Sequence, residues 1–236
     1  MRRGTPPRRL PSQVVPLGTM ISPIPLEIPP MPDPSHRGAQ GHEPDREGAR
    51  QPHRFDAKRA SRLDDRARFE FLPPDRIFVL LAAPQGGRVI DFGTGTGLFA
   101  LELARTRPDL DIVALDEQPE MLEYLRSNPE LARSSNITPR HSRELAALLG
   151  TADAVLAINV LHELGDEATA QLARLVKPHG RIVVVDWNAA IERPIGPPRD
   201  HVYTSAQARA RLEHVGLRVT EETPLKYHFV LTAEPA

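Results

Sequence analysis

The stretch Val89-Ile-Asp-Phe-Gly-Thr-Gly-Thr-Gly-Leu98 constrains this chain more than any other, because it reads as a strand, an acid, a glycine loop and a helix start in immediate succession. Glycines at alternate positions let the backbone turn sharply from strand to helix, and the missing Cβ atoms let a ligand come close. Taken alone, such a loop also fits a plain tight turn. Its spacing narrows the ligand. A dinucleotide fingerprint needs a glycine at the sixth loop position, and counting from Gly93 that position holds Leu98. Asp91, two residues before the loop, is poorly placed for a pyrophosphate and well suited to an ammonium group.

Strand and helix patterns alternate after this point. Short apolar runs predict strands at Arg88 to Phe92, Asp111 to Leu115, Ile137 to His141, Ala154 to Ile158 and Arg181 to Val185. Helical patterns fall between them, from Gly97 to Thr106, Pro119 to Ser127, Ser142 to Leu149 and Glu163 to Val176. A helix from Ser205 to Val215 then precedes two strands, Leu217 to Thr220 and Tyr227 to Leu231, spaced to pair as an antiparallel hairpin. The expected fold class is α/β: a doubly wound, Rossmann-like, mostly parallel sheet with a C-terminal antiparallel hairpin. Ahead of the glycine loop, Phe55 to Leu63 has a charged helical pattern. In Leu72 to Leu81, Pro74 suits a first helical turn, and Ile77, Val79, Leu80 and Leu81 supply a buried face.

Composition bounds the rest. Twelve of the 25 prolines fall before residue 53, in a segment without strand or helix periodicity, so residues 1–52 are expected to form a disordered Pro/Arg-rich tail and residues 53–236 a single domain with its entry helices. Residues 1–62 hold 11 Lys/Arg against 6 Asp/Glu, and residues 63–236 hold 19 against 25. An acidic body argues against a nucleic-acid substrate, which would need a concentrated basic face. No cysteine is present, which removes disulfides, thiolate metal sites and a catalytic thiol. Apolar runs stop well short of the roughly 20 residues that a bilayer span needs, and prolines break the one mildly apolar N-terminal stretch, so the expected location is cytoplasmic.

A second chemical signal is Ile112-Val-Ala-Leu-Asp-Glu-Gln-Pro-Glu-Met-Leu122, a strand ending in an acid 25 residues after Asp91. At that distance Asp116 can accept both hydroxyls of a ribose, which suits any adenosine-containing ligand. Glu117 follows it, and Met121 either covers a base or packs its helix.

Together, Asp91-x-Gly93-x-Gly95-x-Gly97, Asp116, Asp153-Ala-Val-Leu-Ala-Ile-Asn-Val-Leu-His-Glu-Leu164 and Leu175-Val-Lys-Pro-His-Gly-Arg-Ile-Val-Val-Val-Asp-Trp187 resemble the successive motifs of class I S-adenosylmethionine-dependent methyltransferases over about residues 54–236. The Leu-Pro-Pro entry, the Asp-Trp pair and Gly196-Pro-Pro-Arg-Asp-His201 are similar to the small-molecule subgroup related to quinone C-methyltransferases. The resemblance implies an enzyme that transfers a methyl group from S-adenosyl-L-methionine to an O, N or C nucleophile of a small molecule. It implies a cofactor set of Asp91, Gly93, Thr94, Gly95, Gly97, Asp116, Glu117, Ser142 and Asn159, with Asn159 facing the sulfonium through its backbone. Ser142 stands where the family often has an Asp for the adenine amine. The catalytic candidates are His162, Asp186 and His201, of which His201 is the less tied to packing and is the expected base. Tyr203 and Trp187 are open between substrate contact and packing. A non-catalytic S-adenosylmethionine sensor or assembly protein and a nicotinamide-dependent reductase are the alternatives. No metal is expected, and the oligomeric state is left open.

Overall fold

The computed structural model describes residues 63–236. The expected tail over residues 1–52, and all of the expected 55–63 helix except Leu63, lie outside the described residues. Seven strands form one sheet in the order β3-β2-β1-β4-β5-β7-β6. They are β1 (Arg88–Phe92), β2 (Asp111–Asp116), β3 (Ile137–His141), β4 (Ala152–Ile158), β5 (Val176–Trp187), β6 (Leu217–Pro224) and β7 (His228–Pro235). The first five pair in parallel, β7 runs antiparallel to β5, and β6 runs antiparallel to β7.

Alternate strand residues feed two separate cores, as the two-residue period of a strand requires. Val89, Ile112, Ala114, Leu156 and Val183 point to one face, and Ile90, Val113, Leu115, Val155 and Val184 point to the other. The first face is covered by α1 (Pro74–Phe78), α2 (Leu98–Thr106) and α3 (Pro119–Ser127). The second is covered by α5 (Asp166–Leu175), α6 (Ser205–His214) and the 3₁₀ segment Ser142–Leu148. Between these sets, Asn128 caps a short α4 (Pro129–Arg133), its side chain accepting from the Glu130 N–H at 2.9 Å.

Several boundaries differ from expectation for identifiable reasons. Val176, expected to end a helix, begins β5, because it pairs with Ala152 before the Lys-Pro-His-Gly turn shifts the register to Ala154 and Arg181. The expected Glu163 to Val176 helix starts at Asp166, after a 3₁₀ turn at Leu161–Glu163 and Gly165 at the N-cap. The 142–149 helix is tightened to 3₁₀, with His141 and Glu144 capping reciprocally. Both hairpin strands run longer than their apolar content suggests. β6 is an edge strand whose outer residues, including Glu221 and Glu222, stay exposed and show no alternating signal. Val79, expected in the buried face of the entry helix, is 70% exposed, while Ile77 and Leu81 are buried. No helix among the described residues is long and apolar enough to cross a membrane.

Candidate functional site

The carboxyl ends of β1, β2 and β4 surround a cavity of about 820 Å³, at the place where an open α/β sheet holds its ligands. The glycine loop closes one side. Its Gly93 and Thr94 N–H groups donate to the Leu115 carbonyl at 2.8 and 3.0 Å, which ties the loop to β2. Asp116 tightens it further, one carboxylate oxygen accepting from the Gly95 N–H at 2.7 Å and the other from the Gln118 N–H at 2.9 Å. Each oxygen keeps a second lone pair for a hydroxyl in the cavity.

Asp91 is buried at the end of β1 and accepts from the Thr94 hydroxyl at 2.6 Å. Burial raises its pKa to about 7, with the charge of Asp116 adding to the rise and Thr94 and Arg68 opposing it. Asp116 is shifted upward too, again by burial, against its backbone hydrogen bonds. The Arg68 guanidinium also lines the cavity, within electrostatic reach of Asp91; it donates to the Leu63 carbonyl at 2.7 Å and lies over the Phe99 ring at 5.3 Å. Burial lowers its pKa to about 10, and Asp65 and Asp91 offset part of that.

At the end of β4, Asn159 takes the left-handed conformation (φ 56°), which Asn tolerates better than most residues, and its N–H donates to the Val185 carbonyl at 2.7 Å. Its side-chain carbonyl is buried on the cavity without a hydrogen-bond donor among the described residues. A buried acceptor left unpaired costs about 1–3 kcal/mol, so it is poised for a donor from a ligand. Glu117, Ser142, Met121 and Val160 also line the cavity, and Gln171 of α5 joins them. The wall thus combines the Asp91 and Asp116 carboxylates, an orphan carbonyl and a guanidinium.

Of the expected cofactor set, the cavity gathers Asp91, Gly93, Thr94, Gly95, Asp116, Glu117, Ser142 and Asn159. Gly97 is not in the wall. It caps α2 at φ +84°, and a Cβ there would meet Leu125 Cδ1 at 2.4 Å, so this glycine serves the packing of α2 against α3. Gly95 is the contrasting case. A Cβ on it would meet only Leu63, at 3.4 Å, which leaves the loop open on the cavity side.

Two of the three catalytic candidates come together. His162 Nδ1 lies 2.8 Å from Asp186 Oδ1, and the His162 backbone N–H donates to Asp186 Oδ2 at 2.9 Å. Burial of the ring opposes protonation, but the charge and hydrogen bond of Asp186, helped by Glu163, outweigh it and raise the histidine pKa. His162 Nε2 is 3.8 Å from Glu163 Oε1, and Glu163 lines the cavity. His201 stands exposed in the 3₁₀ turn Arg199–His201. Tyr203 packs on the second core under the Arg211 guanidinium. Trp187 is 8% exposed and sits against His228, ring centroids 4.0 Å apart. Arg68, Arg193, Gln171 and His228 carried no sequence signal, because none belongs to a recognisable motif and only the fold shows what each touches.

A glycine loop from β1 into α2, an acid closing β2 and a polar cradle over the sheet edge define a Rossmann-like ligand-binding domain. The chain belongs to the methyltransferase-domain family, whose model matches residues 64–228. Its fold is that of the class I S-adenosylmethionine-dependent methyltransferases. It resembles a solved S-adenosylmethionine-dependent methyltransferase from Aquifex aeolicus with a TM-score of 0.71 and 28% identity, over 76% of this chain and 98% of that one. An uncharacterized methyltransferase of Mycobacterium bovis is 36% identical over 132 residues, 51% of this chain and 47% of the relative. Shorter matches reach a release factor glutamine methyltransferase of Escherichia coli (38% over 72 residues, 30% and 26% of the two chains) and a demethylmenaquinone methyltransferase of Deinococcus radiodurans (31% over 106 residues, 42% and 43%). The chain thus spans about half or less of the length of these curated relatives.

Proposed function

We propose that this chain binds S-adenosyl-L-methionine in the cavity and transfers its methyl group to an O, N or C nucleophile of a small-molecule acceptor. The observation that carries the reading is that one cavity wall holds the Asp91 carboxylate, the Arg68 guanidinium and the orphan Asn159 carbonyl, which supply partners for an amino-acid headgroup. When bound, the cofactor supplies a methyl group made electrophilic by the sulfonium. Asp91 and Asn159 hold the ammonium, Arg68 the carboxylate and Asp116 the ribose diol, with Glu117, Ser142 and Met121 along the nucleoside. Asp186 keeps the proton of His162 on Nδ1, leaving Nε2 to receive a proton from an acceptor that must lose one. The remaining contribution of the chain is alignment and exclusion of water, effects that supply up to about 7–11 kcal/mol in favourable model reactions. The acidic charge balance of residues 63–236 favours a small acceptor over a nucleic acid, while the names of the relatives span protein, ribosomal RNA and quinone acceptors.

Isothermal titration tests the cofactor assignment. Wild type should bind S-adenosylmethionine, and Asp116→Ala should weaken binding by about 1.5–3 kcal/mol, roughly ten- to a hundredfold. Because Asp116 also holds the Gly95 and Gln118 N–H groups, the melting temperature of the unliganded variant separates loop damage from lost ribose contact. Binding of NADH in place of S-adenosylmethionine would overturn the reading.

A further inference from the structure

Beyond the cavity, the carboxyl end of β5 carries a second group of polar atoms that the protein leaves unsatisfied. His228, the first residue of β7, is fully buried, with Trp187 at 4.0 Å and Phe71 stacked at 5.8 Å, and neither ring nitrogen has a partner among the described residues. Burial pushes its pKa down to about 3, so the ring is neutral and offers one donor and one acceptor. Arg193 lies over the other ring of the group, its guanidinium carbon 5.2 Å from the Trp187 centroid. Only its Nη2 is engaged, donating to the Pro197 carbonyl at 2.6 Å, and Nε and Nη1 are buried and unpaired. Asp186, which immediately precedes Trp187, is within electrostatic reach of both Arg193 and His228 and is the carboxylate that orients His162.

Two unpaired guanidinium N–H groups and an unpaired imidazole, each buried, are a concentrated penalty for a structural cluster. Buried polar groups in native proteins are almost always satisfied, and exceptions call for a functional explanation. The covering segment is weakly held. From Glu192 to Pro197 the backbone makes no backbone–backbone hydrogen bond among the described residues, Ile195 is 45% exposed, and Gly196 rests on Arg193 Nε and on Trp187, either of which an added Cβ would meet at 3.1 Å. Segments with few such bonds open at low free-energy cost.

We propose that Trp187, Arg193 and His228, beneath the 192–197 strap, form the acceptor subsite and that it takes a flat aromatic acid, a ring bearing a carboxylate or an acidic hydroxyl. Arg193 pairs with the acidic oxygen and His228 hydrogen-bonds a ring substituent; because Trp187 and Phe71, their ring centroids 6.0 Å apart, already enclose the His228 ring, the ligand ring enters as the 192–197 strap opens, against the part of Trp187 that Gly196 and Arg193 cover. The assignment of this ligand as the methyl acceptor rests on the function proposed above, whereas acid binding itself does not.

Trp187 is the only tryptophan in the chain, so indole-selective fluorescence reports on this site alone. Benzoate is the probe, with benzamide as its flat neutral counterpart and cyclohexanecarboxylate as its puckered anionic one. Benzoate should change the emission saturably and bind at least about tenfold more tightly than either comparator. Arg193→Met should weaken benzoate about ten- to a hundredfold, as loss of a charge-assisted pair predicts, with S-adenosylmethionine affinity and melting temperature unchanged. Arg193→Lys should recover part of the loss. Absence of a saturable benzoate response, equal binding of benzamide, or an Arg193→Met variant that folds and binds benzoate like wild type would each overturn the proposal. Benzoate binding without S-adenosylmethionine binding would support the acid site while overturning the transfer reading, and the reverse result would overturn the acid site alone.

Discussion

Replacing Gly97 with alanine separates a structural glycine from a ligand-binding one. The residue sits at φ +84°, where an L-residue is strained by roughly 1–2 kcal/mol. The new methyl would also lie 2.4 and 3.0 Å from the two Leu125 methyl carbons, and Leu125 is fully buried, so it has little room to give. Overpacking of this kind costs about 1–3 kcal/mol. The smaller entropy of the unfolded alanine chain returns about 0.4–1 kcal/mol. The net loss is about 2–4 kcal/mol, or roughly 5–15 °C in melting temperature for a domain of this size. Urea denaturation followed by circular dichroism measures it, with an unchanged m-value expected. In a Leu125→Ala background the clash is gone, and the further cost of Gly97→Ala should fall to the strain less the unfolded-chain entropy, about 0–1.6 kcal/mol. A cost below about 1 kcal/mol in the wild-type background would refute the packing argument, as would a loss of cofactor affinity without loss of stability.

Asp91→Asn should weaken S-adenosylmethionine binding yet stabilise the unliganded protein at pH 8. The Asp91 pKa is about 7 in the folded protein against roughly 3.9 unfolded, so between those values the folded state binds more protons and stability falls as pH rises. That slope should disappear in the variant, and wild-type cofactor affinity should climb with pH until Asp91 is ionised near 7. Unchanged affinity in Asp91→Asn would remove the ammonium assignment. For the dyad, His162→Ala should lower turnover about 10²–10⁴-fold with little change in cofactor affinity. Asp186→Asn removes the interaction that raises the histidine pKa, so the acidic limb of its pH–rate profile should move to lower pH. If His201→Ala produces these losses and His162→Ala does not, the exposed histidine is the base.

The parallel core was legible because it is local and periodic. β1 matches its predicted range residue for residue, and β2 and β4 are extended at one end only, since strands covered on both faces must be apolar throughout. The edge strand β3 also matches its range, although Thr138 and Arg140 are exposed. The edge strand β6 was legible only over Leu217 to Thr220, because its exposed continuation needs no apolar alternation. Most of the expected cofactor set lines the cavity for a similar reason: a loop and its flanking strand ends occupy neighbouring positions in the chain.

What the sequence alone determined was the order of elements, the glycine turn and the acids at the two strand ends, all set by residues within one βαβ unit of each other. Only the tertiary structure decided that Gly97 answers to Leu125, that His162 belongs to Asp186, and that Arg68 and Asp91 line one cavity within electrostatic reach of each other. It alone brought Trp187, Arg193 and His228 under one strap. These pairings join separate elements, and a side chain's partner across a sheet edge depends on strand order and burial, neither of which leaves a periodic mark in the chain.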